Sequence, residues 1–200
     1  LLALMRMDSP PPDLWSAEAA DDEEQLERLL GELIARDYLL KLPDSAFPGE
    51  TEYVFKHNLE REKVASLTSA ALSRRYHQTI ADWLSQQAGT KTSEESLVML
   101  GKHLERAGAR IQAGEAYLRA GDVARSGFGS KKAADHFSKG LELLGDTDAR
   151  RRIDALHDYG DVLWIGGRSD EAQAAFRQMQ QLAFQLNLKA KGGAAHNRIG

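Results

Sequence analysis

Two stretches of this chain repeat each other at a spacing of 39 residues. Gly121, Ala133 and Phe137 stand in AYLRAGDVARSGFGSKKAADHFSKGLELL as Gly160, Ala172 and Phe176 stand in ALHDYGDVLWIGGRSDEAQAAFRQMQQLA. A fixed period with apolar residues at helical spacing is the signature of stacked helical hairpins, because one hairpin cannot bury its own apolar face. Such an array places small residues between paired helices and leaves a concave face for partners. The repeat therefore predicts a binding scaffold before it predicts any chemistry.

Composition agrees with that reading. The chain has 200 residues, of which 42% are hydrophobic and 28% charged, enough for one large or two small helical domains. A net charge of -4 weighs against a nucleic-acid surface without excluding a local basic patch. The absence of cysteine removes disulfides and thiolate metal sites. No apolar run reaches the roughly 18 residues of a membrane helix, and the LLALM start has neither the charged region nor the cleavage site of a signal peptide. The missing initiator Met, and a Gly200 that falls 40 residues after Gly160, lead us to expect a fragment of a longer protein, ending in a further repeat.

Residues 8–24, DSPPPDLWSAEAADDEE, carry three successive prolines and an acidic cluster. They read as a loop ending in a helix N-cap at Asp21 or Asp22, with carboxylates favoured by the helix dipole. Leu26, Leu29, Leu30, Leu33 and Ile34 then follow helical spacing to an end at 36–38. Short apolar runs at 38–42 and 52–56 flank the turn residues Pro43-Asp44-Ser45 and Pro48-Gly49-Glu50, which predicts a β-hairpin. A helix followed by such a hairpin is what a winged-helix domain presents. Helices are expected at 57–68 and 70–88, the second with a stripe of Leu72, Tyr76, Ile80, Trp83 and Leu84.

The polar break 89–93, GTKTS, with Ser93 as a helix start, marks the expected boundary between a region at 1–90 and repeats at 91–200. Beyond it the pattern predicts helices near 94–107, 110–126, 130–144, 150–166, 169–186 and from 190 onward. Ala113, Ala116, Ala120, Ala133, Ala134, Ala172, Ala174 and Ala175 mark close helix contacts. Tyr117, Phe137 and Phe176 are expected to fill the space between neighbouring hairpins, and Trp15, Trp83 and Trp164 to anchor helix contacts. Gly166-Gly167 and Gly192-Gly193 read as helix-end turns.

The repeat residues resemble the tetratricopeptide pattern in a degenerate form, with Gly121, Ala133, Phe137 and Gly140, then Gly160, Ala172, Phe176 and Met179 where a small residue is usual. The period is 39 rather than the usual 34, and the terminal Pro is missing. The segment YVFKHNLEREKVASLTSAALSRRYHQTIADWL is similar to the stretch that follows the ATPase core in bacterial STAND-type signalling ATPases. The matching residues are Phe55, Lys56, His57, Leu59, Arg61 and Glu62, then Arg74, Arg75, His77, Ile80 and Ala81. The resemblance implies a mainly α fold: a tetratricopeptide-like helical-hairpin superhelix preceded by a small winged-helix region with one β-hairpin. It also implies a cytoplasmic regulatory segment of a parent that binds ATP or ADP upstream and is fused to a Ser/Thr kinase or a nucleotide cyclase. A partner protein would bind the repeats, and the winged helix would belong to a nucleotide-controlled switch. No G-x-x-x-x-G-K-[ST] occurs, so no cofactor is expected within these residues.

His57 is the foremost single candidate. By the resemblance, it would reach a nucleotide phosphate from the winged helix; the plainer expectation is a histidine capping the next helix. Arg61, Lys63, Arg74 and Arg75 form a possible basic patch that would serve DNA if the winged helix read a duplex, but Glu60 and Glu62 flank Arg61 and favour a solvated or docking face. The six histidines never fall three to five apart, which argues against a helical zinc pair. Asp21, Asp22, Glu23 and Glu24 point around a helix and do not converge. No G-x-S-x-G elbow supports a hydrolase, and nothing else in the chain reads as an enzyme.

Overall fold

The computed structural model describes residues 18–45, 47, 49–87 and 93–199. Trp15, the proline run, the break at 89–92 and Gly200 lie outside the described residues, as do the side chains of Asp21, Asp22 and Glu23. The chain divides into two compact units, Leu1–Ile80 and Ala81–Gly200.

In the first unit, helix α1 (Glu18–Ala35) leads into strands β1 (Leu39–Lys41) and β2 (Tyr53–Phe55), then α2 (Asn58–Leu67) and the start of α3 (Ala70–Gln87). The helix begins at Glu18, so Asp21 and Asp22 lie inside it rather than at its N-cap. Glu18-Ala19-Ala20 are strong helix formers and extend it backwards. It also stops before the expected end at 36–38. Asp37 takes a left-handed φ of 68°, and the amides of Asp37 and Tyr38 donate to the carbonyls of Ile34 and Leu33. That pair of bonds is a Schellman stop. The strands are antiparallel with Leu39 opposite Phe55 and Lys41 opposite Tyr53, and Lys56 forms an ion pair with Asp37 at the open end. Leu30 and Leu39 are the buried apolar residues of this unit among those described.

The second unit continues with α4 (Glu94–Ala107), α5 (Arg110–Ser126), α6 (Ser130–Leu144), α7 (Ala149–Ile165), α8 (Ser169–Gln185) and α9 (Lys189–Ile199). Each helix packs on the next in sequence. The three-residue turns after α5 and α7 make α5–α6 and α7–α8 antiparallel hairpins, the two copies of the 39-residue period. The fold is thus mainly α, with helical hairpins after a helix and a β-hairpin, as the sequence predicts. Ser93 accepts the amide of Ser96 at 3.1 Å to start α4, and Asp148 accepts that of Arg151 at 2.9 Å to start α7.

One buried cluster runs through α5 to α9 and includes Leu118, Phe137, Leu144, Ile153, Leu163, Phe176, Met179 and Ala195. Burying each of its larger side chains contributes about 1.5–3 kcal/mol before chain entropy is charged against it. Four expectations change here. Trp164 is 53% exposed, because α7 turns that side of its last turn outward. Ala174 is exposed on α8, whereas Ala172 and Ala175 are buried. Gly192 and Gly193 lie inside α9, not at a turn. Phe137 and Phe176 fill space within their own hairpins, against Gly121 and Gly160, while Tyr117 packs against Gly101 of α4. Each ring meets the glycine 16 residues earlier in the preceding helix; for Phe137 and Phe176 that lies within the hairpin, and for Tyr117 it lies between hairpins, as expected.

Candidate functional site

The first helices of successive hairpins, α5, α7 and α9, share a continuous run of charge. From α5 to α7, Arg125 Nη1 donates to Asp158 Oδ1 at 2.9 Å and Arg151 Nε donates to both Glu115 oxygens at 3.0 Å. From α7 to α9, Lys191 Nζ donates to Asp154 at 2.6 Å and Arg198 Nη2 lies 3.1 Å from Asp161 Oδ1. Arg125 also reaches Asp122 on its own helix at 3.1 Å. His157 sits in the middle of this run, with Nδ1 3.5 Å from Asp158 and 3.9 Å from Asp161. Its ring meets Phe176 edge-on, with centroids 6.5 Å apart.

Helical spacing generates this face. Residues 151, 154, 158 and 161 recur every three or four positions on α7, so they form one stripe, and Glu115 and Asp122 lie two turns apart on α5. Burial raises the carboxyl of Asp122 above the usual aspartate range; Arg125 opposes that rise and the Asp158 charge adds to it. Five carboxylates and four paired cations thus alternate over a surface held by three parallel helices. Pairs of this kind contribute little to stability.

The second helices are joined differently. Between α4 and α6, Glu94 Oε1 accepts from His136 Nε2 at 3.0 Å and lies 3.5 Å from Lys132. Lys139 Nζ donates to Glu105 at 2.8 Å. The His136 hydrogen bond, first among several causes, holds the Glu94 carboxyl below the usual glutamate range. The bond to Glu105 raises the Lys139 ammonium.

The residues singled out in sequence are distributed over both units. His57 occupies the N-cap position of α2 but its side chain makes no cap hydrogen bond, so the capping expectation is corrected: the extended backbone at φ -126° leaves the imidazole exposed. Arg61 and Lys63 lie on α2 and Arg74 and Arg75 on α3, all four exposed. Tyr117, Ala133, Phe137, Ala172 and Phe176 are buried, at 6% exposure or less, with Gly121 and Gly160 beneath two of the rings. Sequence reasoning missed the charged face. Its signal was present in the recurring Gly-Asp-Val triplet at 121–123 and 160–162, whose aspartates are both on that face.

No family model matches the chain, and no curated protein matches it. Among solved structures, two crystal structures of MamA are similar at 18% identity. One has a TM-score of 0.34, over 64% of this chain and 86% of that one; the other has 0.32, over 63% and 79%. A superposition at that level does not establish a common fold. No described helix is long and apolar enough to cross a membrane.

Proposed function

We propose that this chain is a non-catalytic scaffold whose repeats bind a protein partner on the face of α5, α7 and α9. The observation that carries the reading is the charged ladder, which runs across three helices and pairs carboxylates with cations along one face. A surface of this kind gives specificity and association rate through complementary charge.

In the finer form of the proposal, the chain is the regulatory segment of a STAND-type signalling ATPase, kinase-fused. The winged-helix region at 1–90 would act against a nucleotide domain in cis, and the tetratricopeptide-like repeats at 91–200 would receive the partner, in the cytoplasm. What supports this is the order of helix, β-hairpin and helix in the first unit and the match of Phe55 to Glu62 and Arg74 to Ala81 with that family. His57 directly after β2, with an exposed imidazole, is the residue through which ADP or ATP would be sensed.

The scaffold reading is tested by affinity capture with the native chain and with Asp158→Lys/Asp161→Lys. A partner retained by the native chain and lost by the variant supports it; a partner retained equally by both removes the face from consideration. The nucleotide reading is tested by ADP retention in the full-length product with His57→Ala. Unchanged retention would dismiss His57 as a sensor.

A further inference from the structure

The seam between α4 and α6 is closed by Lys132, His136 and Lys139, all reaching carboxylates on α4. Moving 39 residues along, those three positions become Glu171, Ala175 and Gln178 on α8. Their carboxylate partners Glu94 and Glu105 become Ala133 and Leu144 on α6. The second seam, between α6 and α8, has therefore lost every residue that bridges the first. No hydrogen bond or ion pair joins α6 to α8 among the described residues, and an opening of about 260 Å³ lies there instead.

The opening has an apolar part, from Leu141, Leu156 and Ala175, and a polar part, from Arg152, Tyr159 and Gln178. Arg152 is the informative member. Its Nη1 donates to the carbonyls of Leu141 at 3.1 Å and Gly145 at 2.9 Å, which finishes the C-terminus of α6 and pins the guanidinium in place. It has no carboxylate partner among the described residues, so Nε and Nη2 remain for a ligand. Glu171, the acid in the lining, is already held in a fork by Arg168 at 2.7 and 2.6 Å. The positive charge of Arg152 is thus the uncompensated one. A volume below the roughly 300–1,000 Å³ of small-molecule sites fits an anchoring side chain better than a whole metabolite.

We propose that this opening is a docking pocket for an acidic segment of a partner polypeptide. One apolar side chain enters between α6 and α8, and a neighbouring carboxylate is received by Nε and Nη2 of Arg152. A guanidinium pinned at one nitrogen loses little freedom on forming that pair, which is why arginine suits the task. The inference rests on the reading of the repeats as protein-binding, but it places a second contact on the side of α7 turned away from the charged ladder, between α6 and α8.

The probe is a fluorescein-labelled Gly-Ser-Leu-Glu-Leu-Glu-Ser-Gly peptide, compared with its counterpart carrying Gln for Glu. Binding is read by polarisation and located by amide chemical shifts on the labelled chain. The Glu peptide is expected to bind about tenfold more tightly than the Gln peptide, the worth of one charge-assisted pair. Shifts should fall at Tyr159, Ala174 and Gln178. Arg152→Lys weakens binding, and Ala174→Trp, at an exposed position that leaves the fold intact, blocks it. Equal binding of the two peptides, no binding at millimolar concentration, or binding untouched by Ala174→Trp overturns the pocket. Shifts confined to Glu115, Asp158 and Asp161 would also overturn it while leaving the scaffold reading standing. That reading is judged separately, by capture with Asp158→Lys/Asp161→Lys.

Discussion

The Cβ that Gly160 lacks would lie 2.5 Å from Cε1 of Phe176, closer than real Cβ atoms come to anything. At the equivalent place one period earlier, a Cβ on Gly121 would stand 3.1 Å from Phe137. The same pair of residue types is packed more tightly in the second hairpin than in the first.

Gly160→Ala should therefore destabilise the array by about 1–2 kcal/mol, since overpacking exceeds the gain in helix propensity. Gly121→Ala should lie within about 0.5 kcal/mol of the native chain, with the two effects offsetting. Gly193→Ala supplies the control: it is mid-helix with nothing within 4 Å of its Cβ, and should stabilise by about 0.5–1 kcal/mol. Denaturant midpoints for the three variants check the order; Gly160→Ala at or above Gly121→Ala would contradict it.

Phe128 closes α5 at a φ of 61° and is 96% exposed. Its counterpart 39 residues on is Gly167, at a φ of 76°. Both end their helices with the same two amide bonds, from Gly129 and Phe128 to Ala124 and Arg125, and from Arg168 and Gly167 to Leu163 and Trp164. A bulky residue is strained in that conformation and glycine is not. Phe128→Gly should raise stability by about 0.5–1 kcal/mol, even though it deletes an aromatic ring. A lowered melting temperature would show that the ring makes contacts worth more than the strain.

The α4–α6 seam should depend on pH at both ends. Glu94 is held below its ordinary value of 4.5, so its contribution is present above that pH and is lost as pH falls through the lowered value. Lys139 is held above 10.5, so its contribution is present below that pH and is lost as pH rises through the raised value. Hydrogen exchange of the α4 amides should accelerate in acid relative to α8, and Glu94→Gln should flatten the acid limb. An unchanged acid limb in that variant would place the sensitivity elsewhere.

Asp158→Asn removes the negative charge that faces Arg125 on the charged face while leaving an amide oxygen as acceptor. As an exposed pair it should cost under about 1 kcal/mol of stability, while partner association slows and its salt dependence shrinks. Stopped-flow association at two ionic strengths separates these outcomes; a large fall in melting temperature with unchanged association would make the ladder structural.

Helix bounds from Glu94 to Leu144 were readable because their stops are written in side chains: Ser93 before α4, Gly108 after it, Gly127 and Gly129 around the next turn. The exposure of Trp164 was not, because an aromatic on a helix looks apolar whichever way the last turn faces. The ladder was hidden for another reason. Arg125 and Asp158 are 33 residues apart, and only the pairing of α5 with α7 makes them neighbours. The pocket was equally silent, since it is defined by the bridging residues that Ala175 and Gln178 replaced.

The ion pairs within the array have one more property. None among the described residues spans more than 42 positions, from Glu94 to His136. Each hairpin is thus wired to its immediate neighbours only, and the array behaves as a one-dimensional lattice with nearest-neighbour coupling. Such a chain has no global switch to melt at once: it can order from any hairpin and fray from either end. A partner bridging α5 to α9 would act as a splint, raising the cooperativity of unfolding as well as its midpoint.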